Sequence, residues 1–332
     1  MSKLFVYSKN IPHRSLEPYY PANVHLIDEK SINIDVYDDS RAQVTISATG
    51  ILHDGCQIIP TLAIASETGY GYKCFLLIGN PVKEFALTGV GIYSNRGKSE
   101  NQTSCEVIAD IDSFGINKLP KHADIVFKLI SSDITTLLKQ PLLISLSVTP
   151  VPETDNDLQI NIDSRHEISV PEKSQTEYDQ SIQHRICSPT CLAMVLDYYG
   201  KDAEVPKLAE LAYNQEHDLF GVWPSNIWAA TQFACLGYIH RFSDFKEAKT
   251  LLDKNTPLIT SIRYKEGELT NSAIKKTPGH LVVLRGYDKN CVIVNDPAAD
   301  PGAVKRNYAL DEFLRVWISG KGVAYVLVPV PE

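Results

Sequence analysis

Cys187 is the residue of this chain best placed to do chemistry. It lies in the run RICSPTCLAMVLDYYG (185–200), where Leu192, Val195, Leu196 and Tyr199 recur at the spacing of one helical face. Ser188 fits an N-cap and Pro189 a first helical position, so the spacing predicts a helix starting right after Cys187. A thiol there meets unpaired backbone N–H groups and the positive end of the helix dipole. Both favour the thiolate, which is the nucleophilic form. Far downstream, His280 stands in the apolar run GHLVVLRGYD (279–288), and CVIVNDPA (291–298) supplies Asn295 and Asp296. A cysteine, a histidine and an Asn or Asp are the parts of covalent catalysis through a thioester.

The elements that must position these groups are a helix and a hairpin. Strands over 280–287 and 291–296 are joined across Asp288-Lys289-Asn290, a turn-rich triplet. An antiparallel return brings His280 near Asn295 or Asp296, so one of them accepts from one imidazole nitrogen and leaves the other for the thiol. Taken alone, the hairpin slightly favours a buried structural unit, with Asp296-Pro297 as an ordinary turn. Cys187 on its helix tips the balance toward function. Cys191, one turn further on, forms a Cys-x3-Cys pair that with His184 suggests zinc, but the spacing matches no common zinc pattern. Cys191, Cys235 and Cys291 read as core residues.

Around these elements the pattern after Pro171 is helical first and strand-like later. Helices are expected over 188–199, 205–215, 223–237 and 245–255, followed by strands at 257–264, 280–287, 291–297 and 324–330. That order is α+β. The first 150 residues read as all-β, with runs at 43–50, 58–65, 72–79, 85–93, 124–130 and 142–148 that suggest a β-sandwich. His25, His53 and His122 are isolated there and form no cluster. Three parts are therefore expected: a β-sandwich-like domain over 1–150, a polar connector over 151–167 and a catalytic domain over 168–332. The stretch LQINI (158–162) could add a strand to the first part. Few contacts are expected to cross the connector, so the sandwich should be separable from the chemistry.

The pieces VPEKSQ (170–175), CSPTCLAMVLDYYG, GVWPSNIWAA (221–230), PLITSIRY, GHLVVLRGYD, VIVNDPAA and AYVLVP resemble, in order and spacing, the C39-like peptidases of the papain-like superfamily. The resemblance covers about half the chain. It implies a papain-like cysteine peptidase domain with Cys187 as nucleophile, His280 as base, Asp296 as orienting acid and an upstream glutamine for the oxyanion hole. Gln175, Gln180 and Gln183 compete for that role; Gln175 sits in the segment resembling the family's entry motif and is preferred. Asn295 remains an alternative to Asp296. Trp223, with Gly221 and Pro224, resembles a segment lining the cleft, and equally suits a packing tryptophan.

The implied activity is cleavage of a peptide or isopeptide bond in a peptide or protein substrate, without metal or organic cofactor. Acyl transfer and a catalytically inactive peptide-binding module are the alternatives. At 44% hydrophobic and 22% charged, the 332-residue chain can bury two ordinary cores. A formal charge of −8 gives no support to nucleic-acid binding. No apolar run spans a bilayer, and MSKLFVYSKN lacks the apolar core of a signal peptide. Seven irregularly spaced cysteines argue against a disulfide framework. A cytoplasmic location, or export by a route without such a signal, is expected. A protein or carbohydrate ligand of the β-rich part stays open, and the Asn101-Gln102-Thr103 sequon matters only in a glycosylating pathway.

Overall fold

The computed structural model describes residues 1–94, 103–151 and 162–331. Asn101 and Gln102 of the sequon, and residues 158–161 of the expected extra strand, lie outside the described residues. Ile162 is buried.

Among the described residues the strands form three sheets. The first runs in the order Val24–Leu26, Lys3–Lys9, Leu142–Pro150, Cys56–Ile64, Phe114–Ile116 and Val107–Ala109. The second runs Ile32–Asp38, Arg41–Ser47, Ala123–Ser131, Tyr70–Ile78 and Lys83–Gly91. They face each other: the Tyr70 hydroxyl of the second sheet accepts from the Ile64 backbone N–H of the first at 3.0 Å. All six β-runs expected from the sequence are strands. Lys3–Lys9, Val24–Leu26, Ile32–Asp38, Val107–Ala109 and Phe114–Ile116 are strands the sequence reading did not assign.

The third sheet belongs to the second half. Its order is Cys235–Arg241, Val323–Pro329, Leu258–Tyr264, Thr277–Asp288, Cys291–Asn295 and Lys305–Ala309, all antiparallel. Helices Cys187–Tyr198, Val205–Ala212, Trp223–Thr231, Phe245–Asp253 and Leu310–Trp317 accompany it, so the fold class is α+β as expected. One expected helix is divided between two elements. The run 223–237 is not one helix: it ends at Thr231, and Cys235 opens a strand. Ala234 takes φ +50 between the two, a left-handed turn that reverses the chain. Strand Lys305–Ala309 and helix Leu310–Trp317 carried no sequence assignment.

Helix Cys187–Tyr198 is buried on every side from Ser188 to Leu196 rather than along one stripe. A helix apolar all round belongs inside a core, and this one packs against strand Thr277–Asp288. It ends at Gly200, whose φ of +72 lets the chain leave the last turn.

The halves are not loosely joined, which corrects the expectation that few contacts cross the connector. Strand Cys235–Arg241 packs on Cys56–Ile64 and Leu142–Pro150 of the first sheet. Ser147 Oγ sits 3.0 Å from His240 Nδ1 and accepts from the Arg241 backbone N–H at 3.0 Å. The Tyr70 hydroxyl lies 3.2 Å from Thr231 Oγ1. Asn214 Nδ2 donates to the Gly89 carbonyl at 3.0 Å, and the Arg241 guanidinium donates to Gln57. Arg165–Glu167, inside the expected connector, is a strand paired with the far end of Thr277–Asp288. The joint lies in residues far from the connecting segment in sequence.

Candidate active site

Cys187 is itself the first residue of its helix. The N-cap position is Ile186, without a side-chain cap; Ser188 is fully buried, with its Oγ 3.0 Å from the Tyr325 hydroxyl. The expected Ser188 cap is therefore replaced by a cross-sheet pair, and Pro189 falls one turn-position later, where its missing N–H still costs nothing. The shift leaves Cys187 half-buried at the positive end of the helix.

His280 lies within strand Thr277–Asp288, opposite Ile262. It is 3% exposed. Its Nε2 donates to Asp296 Oδ1 at 2.7 Å, which leaves Nδ1 for the thiol of Cys187, its other hydrogen-bond partner. Asp296 is fully buried just beyond strand Cys291–Asn295. Its Oδ1 also accepts from the Ala298 N–H at 2.9 Å, and its Oδ2 accepts from the Tyr308 hydroxyl.

The electrostatics follow from that chain of contacts. Burial pushes the Cys187 thiol up, but the hydrogen bond and charge of His280 and the N–H groups of Leu281 and Ser188 outweigh it, so the thiol is held below its ordinary value. Burial pushes His280 down; the Asp296 charge and hydrogen bond, then Cys187, carry it well above the ordinary imidazole range. Burial likewise opposes ionisation of Asp296, and His280, Tyr308 and the Ala298 N–H together hold it below the usual carboxylate range. A thiolate beside an imidazolium is the state these shifts favour.

Asn295 spends its side-chain hydrogen bonds on groups other than the imidazole. It is fully buried, accepts from Arg285 Nη1 at 3.0 Å and donates to the carbonyls of Val170 and Pro171 at 3.2 and 3.0 Å. It ties the entry segment to the sheet. Gln175 is the buried one of the three candidate glutamines. Its backbone N–H donates to the Pro297 carbonyl at 2.8 Å, and Ser174 Oγ donates to the Ala299 carbonyl at 2.6 Å, so the segment is tethered to the loop carrying Asp296. Gln175 Oε1 is buried without a partner. Gln180 is exposed and Gln183 half-buried. Trp223 is half-buried at the first turn of helix Trp223–Thr231, which packs against the Cys187 helix.

Two contributors were missed by sequence reasoning. Tyr308 lies on the unassigned strand Lys305–Ala309, and nothing in its sequence surroundings marks it. Asp112, from the β-rich half, faces the Trp223 backbone N–H of a helix with no side-chain cap of its own.

The sequence profile of the C39-like peptidase family matches residues 167–325. This half of the chain belongs to that family. Its fold is that of a cysteine peptidase. Among solved structures, the C39-like domain is similar to a C39-like peptidase from Bacillus anthracis (18% identity, 51% of this chain and 100% of that chain, TM-score 0.40). It is similar also to a double-glycine-motif protease of an AMS/PCAT transporter, solved with its leader peptide (20%, 52% and 99%, TM-score 0.35). A third is the peptidase domain of Streptococcus ComA, a bifunctional ABC transporter (23%, 44% and 93%, TM-score 0.33). No curated protein matches the chain. No helix among the described residues is long and apolar enough to cross a membrane.

Proposed function

We propose that the chain is a cysteine peptidase that cleaves a peptide or isopeptide bond through a thioester on Cys187. The observation that carries this reading is the unbroken hydrogen-bonded series Cys187–His280–Asp296. The Cys187 thiolate attacks the scissile carbonyl carbon, and the carbonyl oxygen takes the negative charge. The Cys187 backbone N–H and the Gln175 amide hold that oxygen, each such donor typically contributing about 3 kcal/mol. His280 Nδ1–H then protonates the leaving amine, the C–N bond breaks, and the thioester remains. A water that loses its proton to His280 attacks the thioester, releasing the acid and regenerating the thiolate. Asp296 keeps the imidazole in the orientation both proton transfers require. Trp223 lines the substrate side of the cleft.

We assign the recognised domain to 168–332 and a β-rich body to 1–150. The extensive joint between them supports a body that braces the catalytic sheet and the Trp223 helix.

The test is a peptide library incubated with the full chain and with Cys187→Ala, quenched in acid and read by intact mass. Cleavage with an acyl adduct on Cys187 in the wild type only is expected. Equal cleavage by Cys187→Ala contradicts the reading, and amide products formed with an added amine assign acyl transfer instead of hydrolysis.

A further inference from the structure

The two oxygens of Asp296 are held from opposite sides. Oδ1 takes His280 Nε2 at 2.7 Å and the Ala298 N–H at 2.9 Å, while Oδ2 takes the Tyr308 hydroxyl. Asp296 and Tyr308 are both wholly removed from solvent. A buried carboxylate needs every donor it can find, because no water replaces a missing one. Tyr308 comes from strand Lys305–Ala309 at the edge of the sheet, two strands away from His280. The charged and titratable groups facing its hydroxyl are Asp296, then Tyr264 from Leu258–Tyr264 and Arg306 from its own strand. Those facing Asp296 include His280, whose other partner is Cys187.

We propose that Tyr308 is a positioning residue of the active site: its hydroxyl clamps Asp296 so that Oδ1 stays on His280 Nε2, and the edge strand thereby governs the proton relay at Cys187. The inference rests on the reading of Cys187 as nucleophile. A phenylalanine at 308 keeps the ring and removes the hydroxyl that donates to Oδ2. Asp296 then loses a donor to its charged form, holds the imidazolium less well, and the thiolate forms at higher pH. The bond joins two fully buried side chains, so substrate affinity should not register it.

The experiment is Tyr308→Phe in the full chain, with iodoacetamide labelling of Cys187 followed from pH 4 to 10 by peptide mapping. The acid limb should move up by about half to one pH unit, with rates above the limb within about twofold of wild type. On any peptide the wild type cleaves, kcat should fall about tenfold with KM within about twofold. In Asp296→Asn the further change Tyr308→Phe should add nothing. A labelling profile superimposable on wild type, or an equal effect in the Asp296→Asn background, overturns the proposal. A fall in melting temperature alone does not support it. Should Tyr308→Phe fail to fold, 3-fluorotyrosine placed at 308 keeps the ring and strengthens the donor, and the limb should move down; no movement overturns the proposal. A wild-type Cys187 reacting no faster than an ordinary thiol overturns the nucleophile reading itself. A fast wild type with an unmoved Tyr308→Phe profile overturns only the role of Tyr308.

Discussion

His280 Nε2 donates to Asp296 Oδ1 at 2.7 Å, while Asn295, the next residue back, points to the other face and bonds Arg285. The consequence for turnover is sharp. Asp296→Ala should lower kcat by at least about a hundredfold, because the imidazole loses both its orientation and the charge that stabilises its protonated form. Asn295→Ala should instead destabilise the fold by about 1–3 kcal/mol, by taking the acceptor of Arg285 Nη1 and the donor to the Val170 and Pro171 carbonyls out of a buried cluster, with kcat in the folded fraction within about tenfold. Steady-state kinetics beside chemical denaturation separates the two. The reverse ranking would move the orienting role to Asn295.

That outcome turns on a feature no residue pattern announces. Val283 pairs with Asn295 and Leu284 with Val294, but Gly286 pairs with Ile293, so a bulge at Arg285 shifts the register by one. Without it Asn295 would oppose Leu284 and share the face of His280; with it Asp296 takes that face. The hairpin, its turn and the nearness of His280 to the 295–296 pair were legible from alternation and from Asp288-Lys289-Asn290. The choice between the pair's members was not. Cys187 was legible from its helix, although Ile186 rather than Ser188 precedes it, since burial against Tyr325 claims the Ser188 hydroxyl. Tyr308 and Asp112 act across the fold, and local sequence holds no trace of such contacts. The strand Cys235–Arg241 was hidden because its apolar run continues that of the helix before it.

The joint between the halves gives a second prediction. Gly91 has φ +62, and a Cβ there would lie 2.4 Å from the Tyr70 carbonyl and 2.6 Å from Trp228 Cε2. Gly91→Ala should destabilise the chain by more than about 1 kcal/mol, through both strained backbone and a lost fit to the helix. Thermal unfolding measures it. An unchanged melting temperature would show that the β-rich half yields at this contact without cost.

A chain beginning near residue 168 should aggregate or lose its near-ultraviolet circular dichroism. It uncovers Tyr238, Ile239 and His240, all fully buried in the intact protein. A monomeric, well-folded fragment would instead restore the expectation of an independent catalytic domain.

Asp112 carries a pH signature. Burial and then the Asp110 charge push its carboxyl up to about 7, against the N–H of Trp223 and the charges of Arg241 and Lys321. Since the unfolded carboxyl ionises near 3.8, the folded state is penalised once the pH exceeds both values, and the penalty vanishes below the lower one. Asp112→Asn should therefore raise the melting temperature at pH 8 and leave it unchanged below pH 4. A fall at pH 8 would mean that the charge on the Trp223 helix outweighs its burial.

Competitive labelling of all seven cysteines with iodoacetamide at pH 6 tests the activated thiolate most directly. Cys74 and Cys191 are buried and pushed well above the ordinary thiol range, and Cys235 is pushed up to about 12. Cys105 is exposed and serves as the internal reference. Cys187, held below its ordinary value by His280, should label at least about tenfold faster than Cys105, and His280→Ala should abolish the difference. Labelling of Cys187 at or below the rate of Cys105, or an advantage that survives His280→Ala, would contradict the thiolate–imidazolium pair.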